Sequence, residues 1–97
     1  MATYILLGNF TDQGIRTIKD TPKRVETVKK IAKQLGVSIT QQYWTLGAYD
    51  LVAVLESADD AAVTAFGLSV GRLGNIRTQT LRAYDAGDVE SILAKVK

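Results

Sequence analysis

The side chains able to do chemistry in this chain are limited in kind, because it contains no histidine and no cysteine. A Ser-His-Asp triad, a histidine-held haem or metal, a thiolate nucleophile, an iron–sulfur cluster and a disulfide are all excluded. Any catalysis falls to Asp, Glu, Lys, Arg, Tyr, Asn, Ser or Thr, or to chemistry native to the substrate. Tyr49 and Asp50 are the first candidates, in the stretch Gly47-Ala48-Tyr49-Asp50. A phenol beside a carboxylate at the mouth of a cleft could donate and accept a proton. The same Asp in a turn could instead accept backbone N–H bonds, with Gly47 supplying a positive φ, and this anchoring role is the one expected. Trp44, the only tryptophan, and its neighbour Tyr43 could stack on a flat ligand, although aromatic strand residues more often face a core or an interface. Asn9, Asn75 and Arg77 are of the type that could stabilise an anionic or enolate-like oxygen. Arg82 fits a buried ion pair or an exposed strand edge.

Other chemical signals are weak. Gly8 to Gly14 has Walker-like glycine spacing, but Ile15 and Arg16 occupy the Lys and Ser/Thr positions. Asp59-Asp60 reads as a helix cap, and no acidic cluster has metal-site spacing. No cofactor is implied. The net charge is +2, yet Arg16 to Lys33 holds seven basic residues against Asp20 and Glu26, leaving the remainder acidic. A nucleic-acid footprint is one reading of that segment. A solvated lysine face is the preferred one, so Lys29, Lys30 and Lys33 should be exposed.

The elements that must position these residues are legible from pattern. Ninety-seven residues, 46% apolar and 23% charged, suit one soluble domain over 1–97. No apolar run approaches a membrane span, and Met1 to Ile5 has no basic lead-in to an apolar segment, so neither a membrane anchor nor a secretory signal is expected. Residues 3–10 form a near-continuous apolar strand, followed by a loop from Thr11 to Asp20. Asp20-Thr21-Pro22 starts a helix with its stripe on Val25, Val28, Ala32 and Leu35, closed by Gly36. Val37–Leu46 and Leu51–Leu55 form a hairpin. A two-residue turn at Ala48-Tyr49 would pair Leu46 with Leu51, Trp44 with Ala53, and Gln42 with Leu55. A helix follows from Asp60 to Arg72, with Val63, Phe66 and Val70 inward and many small residues that suit a close neighbour. Asn75–Tyr84 is the fourth strand, and Val89–Val96 is a short last helix. The order βαββαβ plus a helix is the ferredoxin-like arrangement, α+β, with two helices on one sheet face. The first and third strands are apolar on both faces, so a second copy of the chain is expected on the open face.

The stretch from Tyr43 to Val52, with Gly47, Tyr49 and Asp50 in the turn, resembles the signature of the GYD-domain family. Leu73 to Ala83 and the Asn9-Phe10-Thr11 strand end resemble the same family. The resemblance implies a cytoplasmic bacterial or archaeal member of the dimeric α/β-barrel superfamily, in which two ferredoxin-like units pack sheet to sheet. It implies no activity, because the GYD domain is one of unknown function. Superfamily relatives range over cofactor-free monooxygenases, lactone isomerases, haem-dependent dismutases and ligand-sensing domains, and fold alone does not choose among them. Three functions remain open: a small-molecule binding or accessory module, a cofactor-free enzyme acting on an aromatic or enolisable substrate, and a structural or regulatory oligomer. The expected partners are the chain itself, as a homodimer or higher homo-oligomer, and a small-molecule ligand. Nucleic acid and membrane are not expected partners.

Overall fold

Burial alternates with a period of two along the most apolar segments, and the structure, a computed structural model describing Met1–Lys97, assembles the strands into a single four-stranded sheet. The strands are β1 (Ala2–Phe10), β2 (Ser38–Trp44), β3 (Leu51–Ser57) and β4 (Ile76–Ala83), in the order β2-β3-β1-β4 with every neighbour antiparallel. The helices are α1 (Asp12–Arg16), α2 (Thr21–Leu35), α3 (Asp60–Arg72) and α4 (Ala86–Leu93). This is the ferredoxin-like α+β architecture. The apolar strands β1 and β3 take the two central places, which explains why neither shows a polar face.

The core lies on the side of the sheet covered by α2 and α3. Tyr4, Leu6, Leu51, Ala53, Leu55 and Ile76 face Ala32, Val63, Phe66 and Val70 there, and Leu55 is fully buried. On the opposite side Ile5, Leu7, Val52 and Val54 are only half-buried, and Leu81 is 43% exposed. No element of the chain covers them.

Local chemistry accounts for the helix ends. Asp59 caps α3 by accepting from the Ala61 N–H at 2.9 Å. Gly36 ends α2 at φ 72°, where the Val37 N–H reaches back to the Ala32 carbonyl at 2.9 Å. Asp20 precedes α2 as expected, but its side chain makes no capping bond. Arg24 reaches back instead, to the Gly14 carbonyl at 3.1 Å and to Thr17. A Cβ on Gly67 of α3 would lie 3.6 Å from Thr78 Oγ1 of β4, ordinary contact, so the close approach expected of the small-residue face does not require glycine there.

Three expectations need correction. The segment 11–20 is not a loop: Thr11 Oγ1 accepts from the Gly14 N–H at 3.0 Å and starts α1, and a 3-10 turn at Ile18–Asp20 follows. The hairpin register is offset by two residues, pairing Trp44 with Leu51 and Gln42 with Ala53, because residues 45–50 form a six-residue loop. A bulge between Ile39 and Gln41 then brings Ile39 opposite Leu55. A two-residue offset leaves each side chain on its original face. The last helix begins at Ala86 rather than Val89, because Asp85 and Asp88 form a reciprocal capping box.

The bond from the Thr11 N–H to the Asn75 carbonyl at 3.1 Å and that from Thr11 Oγ1 to the Gly74 carbonyl at 2.6 Å stitch α1 to the start of β4. Gln13 adds a 2.9 Å bond to Asn75 Oδ1. The approach is so close that a Cβ on Gly14 would lie 1.9 Å from the Asn75 carbonyl oxygen. Gly14→Ala is therefore expected to lower unfolding stability by about 1–3 kcal/mol, the usual cost of forced overpacking. Urea denaturation checks this, and a midpoint equal to the parent's would show that the contact is not a constraint.

Candidate functional site

The loop between β2 and β3 is built around Asp50. Its own backbone N–H donates to the Gly8 carbonyl at 2.8 Å, and its Oδ2 accepts from the Phe10 N–H at 2.9 Å. Asp50 thus carries the β1–β3 ladder past the last strand residue and satisfies a β1 amide at the sheet end. Within the loop, the Thr45 N–H donates to the Asp50 carbonyl at 2.9 Å and Thr45 Oγ1 to the Tyr49 carbonyl at 2.6 Å. Gly47 has φ 119°, a conformation that L side chains rarely adopt. The Tyr49 hydroxyl donates to Gln79 Oε1 at 3.3 Å, so its ring reaches toward β4 on the open face.

The seven candidate residues divide into three places. Asn9 and Arg77 are directly paired across β1 and β4 on the open face, both exposed, and Tyr43 and Tyr49 share that face. Gly47 and Asp50 belong to the loop. Trp44 is on the other side, half-exposed at the sheet edge. There it lines an apolar cavity of about 90 Å³ between α2, α3 and the sheet, with Leu6, Val25, Val28, Leu55 and Phe66. No cleft joins Trp44 to Arg77, since the sheet lies between them. Asn75 is also separated from Asn9 and Arg77, on the cavity side and held by Gln13. The array of Asn, Arg, Trp and Tyr that an enolate site needs is not assembled within one chain.

The pattern did not point to two further features. The Tyr4 hydroxyl donates to Asp60 Oδ1 at the start of α3, and that bond, reinforced by burial and by the carboxylate's charge, raises the phenol above its ordinary pKa of 10.0 against the opposing pull of Arg82. The Arg82 guanidinium stacks between the rings of Tyr4 and Tyr84, at 5.5 and 4.6 Å from their centroids, rather than in an ion pair. Lys29, Lys30 and Lys33 are exposed on α2. No three acidic side chains come together to hold a metal ion, and no helix is long and apolar enough to cross a membrane.

The GYD domain family model matches residues 4–93, taking in the Asp50 loop, both central strands and β4. The chain belongs to the GYD-domain family. Over its full length it is 35% identical to a Thermus thermophilus protein, itself covered completely, that is named a glutamine synthetase and cystathionine beta-lyase binding protein. Among solved structures, a protein of Thermus thermophilus is 24% identical with a TM-score of 0.57, the match covering 89% of this chain and 96% of that one. The leucine response regulatory protein of Mycobacterium tuberculosis is 15% identical with a TM-score of 0.64, covering 88% of this chain and 51% of the regulator. The GYD chain thus spans about half the length of that regulator, and at these identities the likeness is one of fold.

Two outcomes follow for this GYD protein. Asp50→Ala should cost about 0.5–2 kcal/mol, as loss of a comparable capping acceptor does, and Asp50→Asn should recover much of it, because an amide oxygen can still accept from Phe10. Denaturant midpoints for the three proteins check the order; Asp50→Ala unfolding with the parent would remove the anchor role. The proton on Tyr4 is held more tightly in the folded state than in the unfolded one. Its stabilising effect is full below about pH 10 and is lost as pH rises through the higher folded value. Tyr4→Phe should flatten the alkaline limb of the stability profile, and an unchanged limb would contradict the assignment.

Proposed function

We propose that this GYD protein is a non-catalytic accessory module that works as a homodimer and docks on metabolic enzymes, the glutamine synthetase and cystathionine beta-lyase of its own source first among them. The observation that carries this reading is the full-length 35% identity to a relative named for binding those two enzymes. The dispersal of Trp44, Asn75 and Arg77 supports it against a cofactor-free enzyme, because polar groups on opposite sides of a sheet cannot act on one reacting atom. The homodimer rests on the uncovered face, where Ile5, Leu7, Val52, Val54 and Leu81 form an apolar surface of the kind that marks an interface. A cytoplasmic location is part of the same reading, since docking requires that the protein share a compartment with the enzymes. The apolar cavity behind Trp44 favours a second reading, in which a small apolar ligand occupies it and tunes the docking.

The test is titration calorimetry with each purified enzyme. Saturable binding to at least one, with no turnover of aromatic or enolisable substrates by the GYD protein alone, is the expected result. Absence of binding to both, by the intact protein at concentrations where it is folded, would overturn the reading.

A further inference from the structure

The cavity behind Trp44 lies beneath the first two turns of α2 and the second half of α3, at the end of the sheet where Phe10, Leu51 and Ile76 meet. Its floor is made by Leu6, Leu55, Phe66 and Val70, all buried. Its rim is made by Thr21, Arg24, Asn75 and Trp44, each partly exposed. No buried side-chain nitrogen or oxygen of the chain lacks a hydrogen-bond partner. The floor therefore has no polar group that calls for water, and it suits hydrocarbon.

Size narrows what that hydrocarbon can be. The cavity holds about 90 Å³. A water-sized group takes roughly 30 Å³, and a cavity of about 150 Å³ takes benzene. About three or four carbons of a branched chain therefore fit, and an aromatic ring does not.

The rim is polar and of one sign. Arg24 is the only charged residue that lines the cavity. Its hydrogen bonds all run from Nη2, to the Gly14 carbonyl and to the carbonyl and hydroxyl of Thr17, so no carboxylate answers its charge. Nη1 and Nε remain as donors. Asn75 stands near it, because both meet α1: Arg24 holds the Gly14 carbonyl, and a Cβ on Gly14 would strike the Asn75 carbonyl. Asn75 Oδ1 accepts from Gln13 Nε2, which leaves Asn75 Nδ2 to donate. The segment that folds around Arg24 adds Arg16, Lys19 and Lys23 against Asp20. A carboxylate is matched there by a planar fork of N–H donors. An ammonium is not, because neither Asp nor Glu lines the cavity.

We propose, building on the reading in which a small ligand occupies this cavity, that the ligand is a short branched-chain monocarboxylate without an amino group. Its tail lies against Leu6, Leu55 and Phe66, and its carboxylate lies on Arg24 and Asn75. An amino acid is excluded by its ammonium, and a benzoate-like acid by its ring.

Trp44, the only tryptophan, reports on the site from its rim. Its fluorescence is followed as the intact protein is titrated with 4-methylpentanoate, 4-methylpentan-1-ol and L-leucine. All three carry the same branched tail; the alcohol lacks the charge, and L-leucine adds an ammonium. The acid should give a saturable change with a Kd of about 0.1–1 mM, within the reach of a ligand of about eight non-hydrogen atoms. The alcohol and L-leucine should each bind about tenfold more weakly or worse, as loss of a charge-assisted bond or burial of an unpaired charge entails. Arg24→Gln, confirmed folded by circular dichroism, should weaken the acid by about the same factor. Val28→Phe, which fills the cavity from a half-buried position, should abolish the response. Alcohol or L-leucine binding as tightly as the acid, or a folded Arg24→Gln binding it like the parent, would overturn the carboxylate assignment and leave the cavity as a ligand site. No saturable response of the folded parent to any of the three, or a response unchanged in Val28→Phe, would overturn both. The comparison of acid with alcohol needs no variant, so it decides the assignment even where Arg24→Gln does not fold.

Discussion

A sheet with helices on one face only has to deal with the other face, and in this protein that face is apolar at its centre. The strand order β2-β3-β1-β4 puts the two most apolar strands side by side in the middle, where one set of their side chains meets α2 and α3 and the other set is covered by no helix. Burying a half-exposed Ile, Leu or Val side chain fully is worth on the order of 1 kcal/mol each. Four of them in one patch are a strong drive to association. The edges of the patch are different in kind: Asn9, Arg77, Gln79 and the two tyrosines Tyr43 and Tyr49 give it a polar rim, as interfaces between folded proteins have.

The Asp50 loop makes that face usable. Two hydrogen bonds from one residue to Gly8 and Phe10 hold the end of β1 to the start of β3, and Gly47 lets the loop turn without strain. Tyr49 then lies over the open face because the loop is folded toward β4, not because it is reactive. The three residues that give the GYD family its name thus have a physical reason to occur together: one turns, one spans the sheet end, and one ties it down. In the proposed accessory function they shape a surface rather than a reaction centre.

Much of this was legible in the sequence, for reasons that differ by element. The helix starting near Pro22 and ending at Gly36 has signals at both ends, and Val63, Phe66 and Val70 have helical spacing, so both helices and their buried sides follow from pattern. Apolarity on both faces of β1 and β3 was read as a sign that the open face is covered; that these strands take the two central places came only from the structure. The β2–β3 hairpin was legible but its register was not, because the register depends on Asp50 leaving its hairpin to bind β1, a contact 40 residues distant in sequence. Likewise α1 depends on Thr11 and Gly14 meeting the backbone at Gly74 and Asn75, which no local signal announces. Strand alternation and register put Trp44 and Arg77 on opposite faces and Tyr43 and Arg77 on the same one, a division that residue type alone does not reveal.

In the proposed homodimer the open face of the sheet is the interface between two copies. Val54 lies in the middle of that face, half-buried in the single chain and pointing away from the core. Sedimentation equilibrium of the parent and of Val54→Lys, each confirmed folded by circular dichroism, tests the claim most directly. The account predicts twice the chain mass for the parent and one chain mass for the folded variant. One chain mass for both proteins across the low micromolar range would contradict it.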